Sequence, residues 1–168
     1  MRAGFVDGRG RAYDIGFRTL RLSLTDDEGM LVTGAGENVI VQERATASMD
    51  ILGPKAISLL LPTIGELVAT RARVVFLAAA GIPRKEPFTR FNVSIGLHPS
   101  AIEHFFAAQG GREFVQFAKE DIESSSTAGS GMEIVVRGLR PGAPSESARF
   151  RIRLEPRAAA QRALATLA

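Results

Sequence analysis

The sequence predicts an all-β protein, an antiparallel β-sandwich with one or two short helices and extended termini. Three observations carry that expectation. Phe91, Val93, Ile95 and Leu97 alternate strictly with Asn92, Ser94 and Gly96, the period-two pattern of a strand with one face on a core. Phe150, Ile152 and Leu154 alternate in the same way with Arg149, Arg151 and Arg153. Short apolar runs are separated by Gly, Pro and Asp turn signals, without the strand–helix alternation of a parallel sheet.

The stretch from Arg71 to Leu97 organises the rest. Arg73 to Ala78 is rich in Val, Phe and Leu, as suits a strand buried on both faces. Gly81-Ile82-Pro83 and Pro87 then force a connection before the alternating run at Phe91.

In chain order, residues 1–16 carry four glycines among charges and read as an irregular N-terminal arm. Residues 17–156 form the β-sandwich domain and residues 157–168 a C-terminal helical tail. Leu20, Leu22 and Leu24 alternate in a strand, and Asp26, Asp27 and Gly29 supply a turn. Val39–Gln42 and Thr46–Ile51 read as two short strands, and Gly53-Pro54 ends the second. Ile57–Leu61 is a further strand, closed by Pro62; Ile64–Thr70 fits either a helical turn or a loop. Ser100 with Glu103 has the spacing of a capping box, opening a short helix that would bury Ile102, Phe105 and Phe106. Phe114 starts another strand, and Ser124–Gly131, SSSTAGSG, has the composition of a flexible loop. Met132–Val136 and Phe150–Leu154 are strands joined by a long turn through Pro141 and Pro144. The tail RAAAQRALATLA holds strong helix formers, and reads as a docking helix or a frayed end.

The 168 residues are most simply one domain, with 45% apolar and 23% charged residues. No apolar run is long enough to span a bilayer. The N-terminus lacks an apolar leader core, which reads as a cytoplasmic chain, with export alongside a partner left open. The absence of Cys excludes disulfides and thiolate metal sites. The net charge of +3 is mild. The alternating arginines read as a solvated strand face, or as an electrostatic surface for an acidic partner. No aromatic side chain interleaves them on the exposed face, which argues against nucleic acid.

The search for chemistry gives little. His98 and His104, with Glu103 beside the second, are the only histidines and the only metal candidates; their spacing is not that of a helical ligand pair. Ser94, Ser100 and Asp121 stand in no nucleophile motif. Neither Gly8-Arg9-Gly10 nor Gly34-Ala35-Gly36 has the spacing of a phosphate loop. No cofactor is expected, and the chain reads as a binder rather than an enzyme.

The arrangement VVFLAAAGIPRKEPFTRFNVSIGLHPSA, from Val74 to Ala101, resembles the C-terminal β-sandwich domain of tyrosinase and polyphenol-oxidase proteins. Gly81-Ile82, Pro87 and Phe91-Val93-Ile95 stand where that family has its Gly-Ile turn, its Pro-containing loop and its following strand. Ala47–Pro62 is similar to the family's opening strands and Phe150–Pro156 to its last strand, so the resemblance spans roughly residues 39–156. The family's dicopper centre needs six histidines on a helix bundle, and this chain has two histidines in all. The resemblance therefore implies a non-catalytic accessory or shielding unit of a tyrosinase-like oxidase, with Phe88, Phe105 or Phe106 as the bulky residue offered to the partner. The alternative expectation is a self-assembling structural β-sandwich of a shell, tail or filament, with its two ends as exchange elements.

Overall fold

A computed structural model describes residues 1–6, 11–14, 20–23, 38–54, 56–79, 112–140 and 143–168. They hold ten strands: β1 (Arg2–Val6), β2 (Arg11–Asp14), β3 (Leu20–Ser23), β4 (Val41–Leu52), β5 (Ile57–Ala69), β6 (Val74–Ala78), β7 (Arg112–Phe117), β8 (Ile122–Ala128), β9 (Gly131–Arg140) and β10 (Ala143–Glu155). One helix, α1 (Arg157–Ala165), follows β10, and a single 3₁₀ turn, Lys119–Asp121, joins β7 to β8. The strands form one sheet in the order β3-β2-β1-β7-β6-β5-β4-β10-β9-β8, and every pairing is antiparallel. The all-β, antiparallel expectation holds at this level; the described strands lie in one sheet. Among the described residues no helix is long and apolar enough to cross a membrane.

The sheet curls. Met1 lies just before β1, six places from β9 in the strand order, yet its ammonium donates to the Arg137 carbonyl at 3.1 Å and pairs with Asp121 Oδ1 at 2.6 Å. Its main chain and side chain also crowd Gly138, where a Cβ would lie 3.0 Å from Met1 Cε. The concave side holds the main core: Met49, Leu60, Leu67, Phe76, Val115, Phe117, Ile134, Phe150, Ile152 and Leu154 are buried in one cluster. β6 is buried along its whole length, as its Val-Val-Phe-Leu run predicts. Its register places Val75 and Leu77 with Val68 and Phe114 on the face opposite Phe76, and all four are buried.

Helix α1 closes the concave side against β4, β5, β9 and β10. Ala159, Ala160 and Ala163 are fully buried, and such small side chains let the helix backbone lie close to the sheet. Leu167, just beyond the helix, is buried as well. Arg162 grips Glu43 of β4 with two parallel bonds, Nε to Oε1 and Nη2 to Oε2, both 2.6 Å. The Thr166 hydroxyl reaches the Thr70 carbonyl at 2.7 Å. The tail is therefore a docked helix rather than a frayed end.

Several boundaries differ from the sequence expectation. Arg2–Val6 and Arg11–Asp14, expected within an irregular arm, pair as strands. The two short strands at Val39–Gln42 and Thr46–Ile51 are one strand, β4. Pro62 does not close its strand: β5 runs through it to Ala69. The register slips there, with Leu61 and Pro62 both facing Ser48, and a proline fits such a bulge because no ladder donor is required of it. The long turn expected through Pro141 and Pro144 is mostly strand, as β9 extends to Arg140 and β10 starts at Ala143. Ser124–Gly131 is not a flexible loop. It is most of β8 and the turn that joins it to β9, where Gly129 at φ +57° takes the first central position of a two-residue hairpin. The alternating run at Phe91–Leu97 and the helix expected after Ser100 lie outside the described residues.

Candidate anion-binding groove

The outward face of the β8–β9–β10–β4 part of the sheet is built from the residues that alternate with the core. On β10 these are Arg149, Arg151 and Arg153, because Phe150, Ile152 and Leu154 point inward. The register sets Arg149 directly opposite Arg137 of β9, and Arg153 opposite Glu133. Two like charges facing across a ladder repel unless an anion sits between them.

A bulge in β8 supplies that anion. Ile122 pairs with Val136 and Ser124 with Val135, so Glu123 is an extra residue on its strand. Its carboxylate turns back over the sheet between the two arginines. Oε1 accepts from Arg137 Nε at 3.0 Å and Nη2 at 2.7 Å, and Oε2 accepts from Arg149 Nε at 2.5 Å. These bonds, from Arg137 first and then Arg149, hold the Glu123 carboxyl below its usual range. Further along the face, Glu133 bridges Arg151 at 3.1 Å and Arg153 at 3.4 Å.

Beside Glu123 the face opens into a groove of about 700 Å³. One side is Leu52, Gly53 and Pro54 at the end of β4 and its turn, Leu52 being the cross-strand neighbour of Arg149; Ile51 and Ala148, which pack partly on the main core, also line it. The other is cationic: Arg137 and Arg140 from β9, and Arg149 from β10, with Glu123 and Ser147. Arg140 pairs with Glu146 at 3.0 Å, on the irregular start of β10. Three guanidiniums thus face two carboxylates, an excess of one positive charge. Arg149 spends only Nε on Glu123, and among the described residues its two terminal amino groups have no bond. A groove with an apolar wall and spare, forked N–H donors suits an organic anion, a carboxylate above all. β8 is the last of the described strands in the sheet order, and Glu123–Thr127 are exposed along it.

Phe88, Phe105 and Phe106, the partner-binding residues expected from the sequence, lie outside the described residues. So do His98 and His104. Among the described residues no group of three or more His, Cys, Asp or Glu could hold a metal. Sequence reading noticed the Arg149 series and missed Glu123, Arg137 and Arg140. The groove draws on four segments spread from residue 51 to residue 149, and the bulge that aims Glu123 leaves no trace in hydrophobic periodicity.

No protein-family model matches the chain, and neither a curated protein nor a solved structure matches it.

Proposed function

We propose that this chain is a non-catalytic β-protein that binds another protein chain, and that it takes an acidic segment of that partner in the groove at Arg137, Arg140 and Arg149. The observation that carries this reading is the excess guanidinium charge, among the described residues, in an open, partly apolar groove where those residues leave both terminal amino groups of Arg149 unspent. Charge of one sign on a concave surface steers an oppositely charged segment and fixes its register.

The accessory-unit form of this reading makes the partner a tyrosinase-like oxidase, and it rests on the resemblance of residues 39–156. The sandwich form of the fold draws support from Val68, Val75, Leu77 and Phe114, which are buried on the face away from the main core. Self-assembly is the competing reading, and it needs ends free to exchange. Here Arg2–Val6 pairs along β7, and the tail buries three alanines and Leu167 in its own core, which favours a self-contained unit.

Two measurements test the proposal. Light scattering after size exclusion should give the 18.0 kDa mass of a monomer at every concentration. A higher mass that grows with concentration would favour assembly. Fluorescence anisotropy with a labelled peptide, Gly-Leu-Glu-Leu-Gly-Ser, should show saturable binding that weakens as salt is raised. The counterpart with Gln in place of Glu should bind at least about fivefold more weakly, because its neutral amide lacks the charge-assisted bonds. Equal affinity for the two peptides, or no binding of either, would sink the proposal.

A further inference from the structure

The groove contains a carboxylate of its own, placed where a partner's carboxylate would bind. Arg137 and Arg149 are cross-strand partners, and Glu123 sits on both of them from the bulge in β8. It occupies the fork of Arg137, Nε with Nη2, which is the face a guanidinium offers to a bound carboxylate. It covers only one donor of Arg149. The pairing is also exposed on its basic side, where the Arg137 and Arg149 side chains are 67% and 59% accessible. Ion pairs in such a setting are weak and readily exchanged.

Resting on the reading of the groove as a partner site, we propose that Glu123 is an internal stand-in for the ligand: the site takes a carboxylate flanked by aliphatic side chains, and Glu123 competes with it for Arg137 and Arg149. The aliphatic requirement comes from Leu52, the cross-strand neighbour of Arg149, and from Pro54, which line the groove beside the arginines. The occupant is an acidic residue of an extended partner segment. It inserts its carboxylate among Arg149, Arg140 and Arg137 while its neighbours cover the apolar wall. Glu123 lowers the affinity for every anion and so raises the demand for those apolar contacts. A small anion without aliphatic flanks gains only the charge term, and Glu123 opposes that term directly.

The test is anisotropy with the Gly-Leu-Glu-Leu-Gly-Ser probe on the full chain and on Glu123→Gln. Removing one like charge a few ångströms from the incoming carboxylate, in partly solvated surroundings, should tighten binding roughly tenfold. Glu123→Ala should tighten it in the same direction, which guards against a local effect of the amide. Arg149→Ala, measured on the same probe, should weaken it at least about fivefold. A probe with Gly in place of both Leu should lose most of its affinity, and inorganic phosphate should displace the Leu-flanked probe only at high millimolar concentration. Each variant is first checked for an unchanged far-ultraviolet spectrum and a cooperative melting transition well above the assay temperature. If both Glu123 variants bind the probe no tighter than the unaltered chain, Glu123 is not a competitor and this inference fails, while the reading of the groove stands. If phosphate displaces the probe readily, the site is a general anion site and the aliphatic requirement fails. If the unaltered chain and all variants ignore the probe, the groove reading itself fails.

Discussion

Gly65 lies on β5 opposite Ala78 of β6 and Ala45 of β4, where the sheet leaves no room for a side chain. A Cβ built there would stand 2.3 Å from the Leu77 carbonyl oxygen, 2.8 Å from Ala78 Cα and 2.8 Å from Phe76 Cζ. Comfortable contact between heavy atoms begins at about 3.5 Å, so relief needs a shift of about 1 Å. Two of the three atoms are backbone of β6, and β6 is buried along its whole length, so no flexible side chain can swing away. Overpacking of this kind costs about 1–3 kcal/mol or more. Alanine's lower entropy loss on folding returns only about 0.5–1 kcal/mol. Gly65→Ala should therefore destabilise the protein by about 1–3 kcal/mol. With a urea slope of about 1–3 kcal/mol per molar, the midpoint falls by roughly 1 M. Gly53→Ala is the control, because nothing lies within 4 Å of a Cβ at that position. It should leave the unfolding free energy within about 0.5 kcal/mol of the original or raise it slightly. A neutral or stabilising Gly65→Ala would refute the packing of β5 against β6 described above.

Gly129→Ala should cost about 1 kcal/mol, because φ of +57° is the left-handed region that a Cβ disfavours; an unchanged urea midpoint would rule out that turn. Among the described residues, Glu43 and Glu123 are the carboxylates held low by arginine. Their arginine hydrogen bonds lower both carboxyls below the ordinary 4.5, so their contribution is fully present above that value and is lost as pH falls through the lowered folded values. A Glu43→Gln/Glu123→Gln chain should lose less melting temperature than the unaltered chain on acidification from about pH 6 to about pH 3, and parallel losses would contradict the assignment.

The parts of the fold legible in the sequence are those where one face of a strand meets a core. Phe150, Ile152 and Leu154 alternate with arginines because β10 has one buried and one wet face, and Val74–Ala78 is continuous because β6 is buried on both. Where burial does not follow a clean period, the reading failed. Leu59 and Leu60 are both buried because β5 slips register between Ser58 and Leu60, and a second slip accommodates Pro62. Pro62 therefore read as a terminator although the strand continues. β8 is the last of the described strands in the sheet, with Glu123–Thr127 exposed, so its serines have no core to pattern against, and their composition imitated a linker. The groove was the least legible feature. Arg149 stood out by its alternation, but its facing partner Arg137 is fixed by cross-strand register, and Glu123 by a bulge. Neither is encoded by nearby residues.

The central claim is that an acidic partner segment seats among Arg137, Arg140 and Arg149. The most direct measurement is a nitrogen-15 heteronuclear titration of the labelled protein with the Leu-flanked acidic peptide. The account predicts saturable amide shifts concentrated at residues 51–53, 123, 137–140 and 147–149, the segments that line the groove and Gly138 and Leu139 between its arginines. Shifts of equal size with the Gln peptide, or a set centred elsewhere on the sheet, would contradict it.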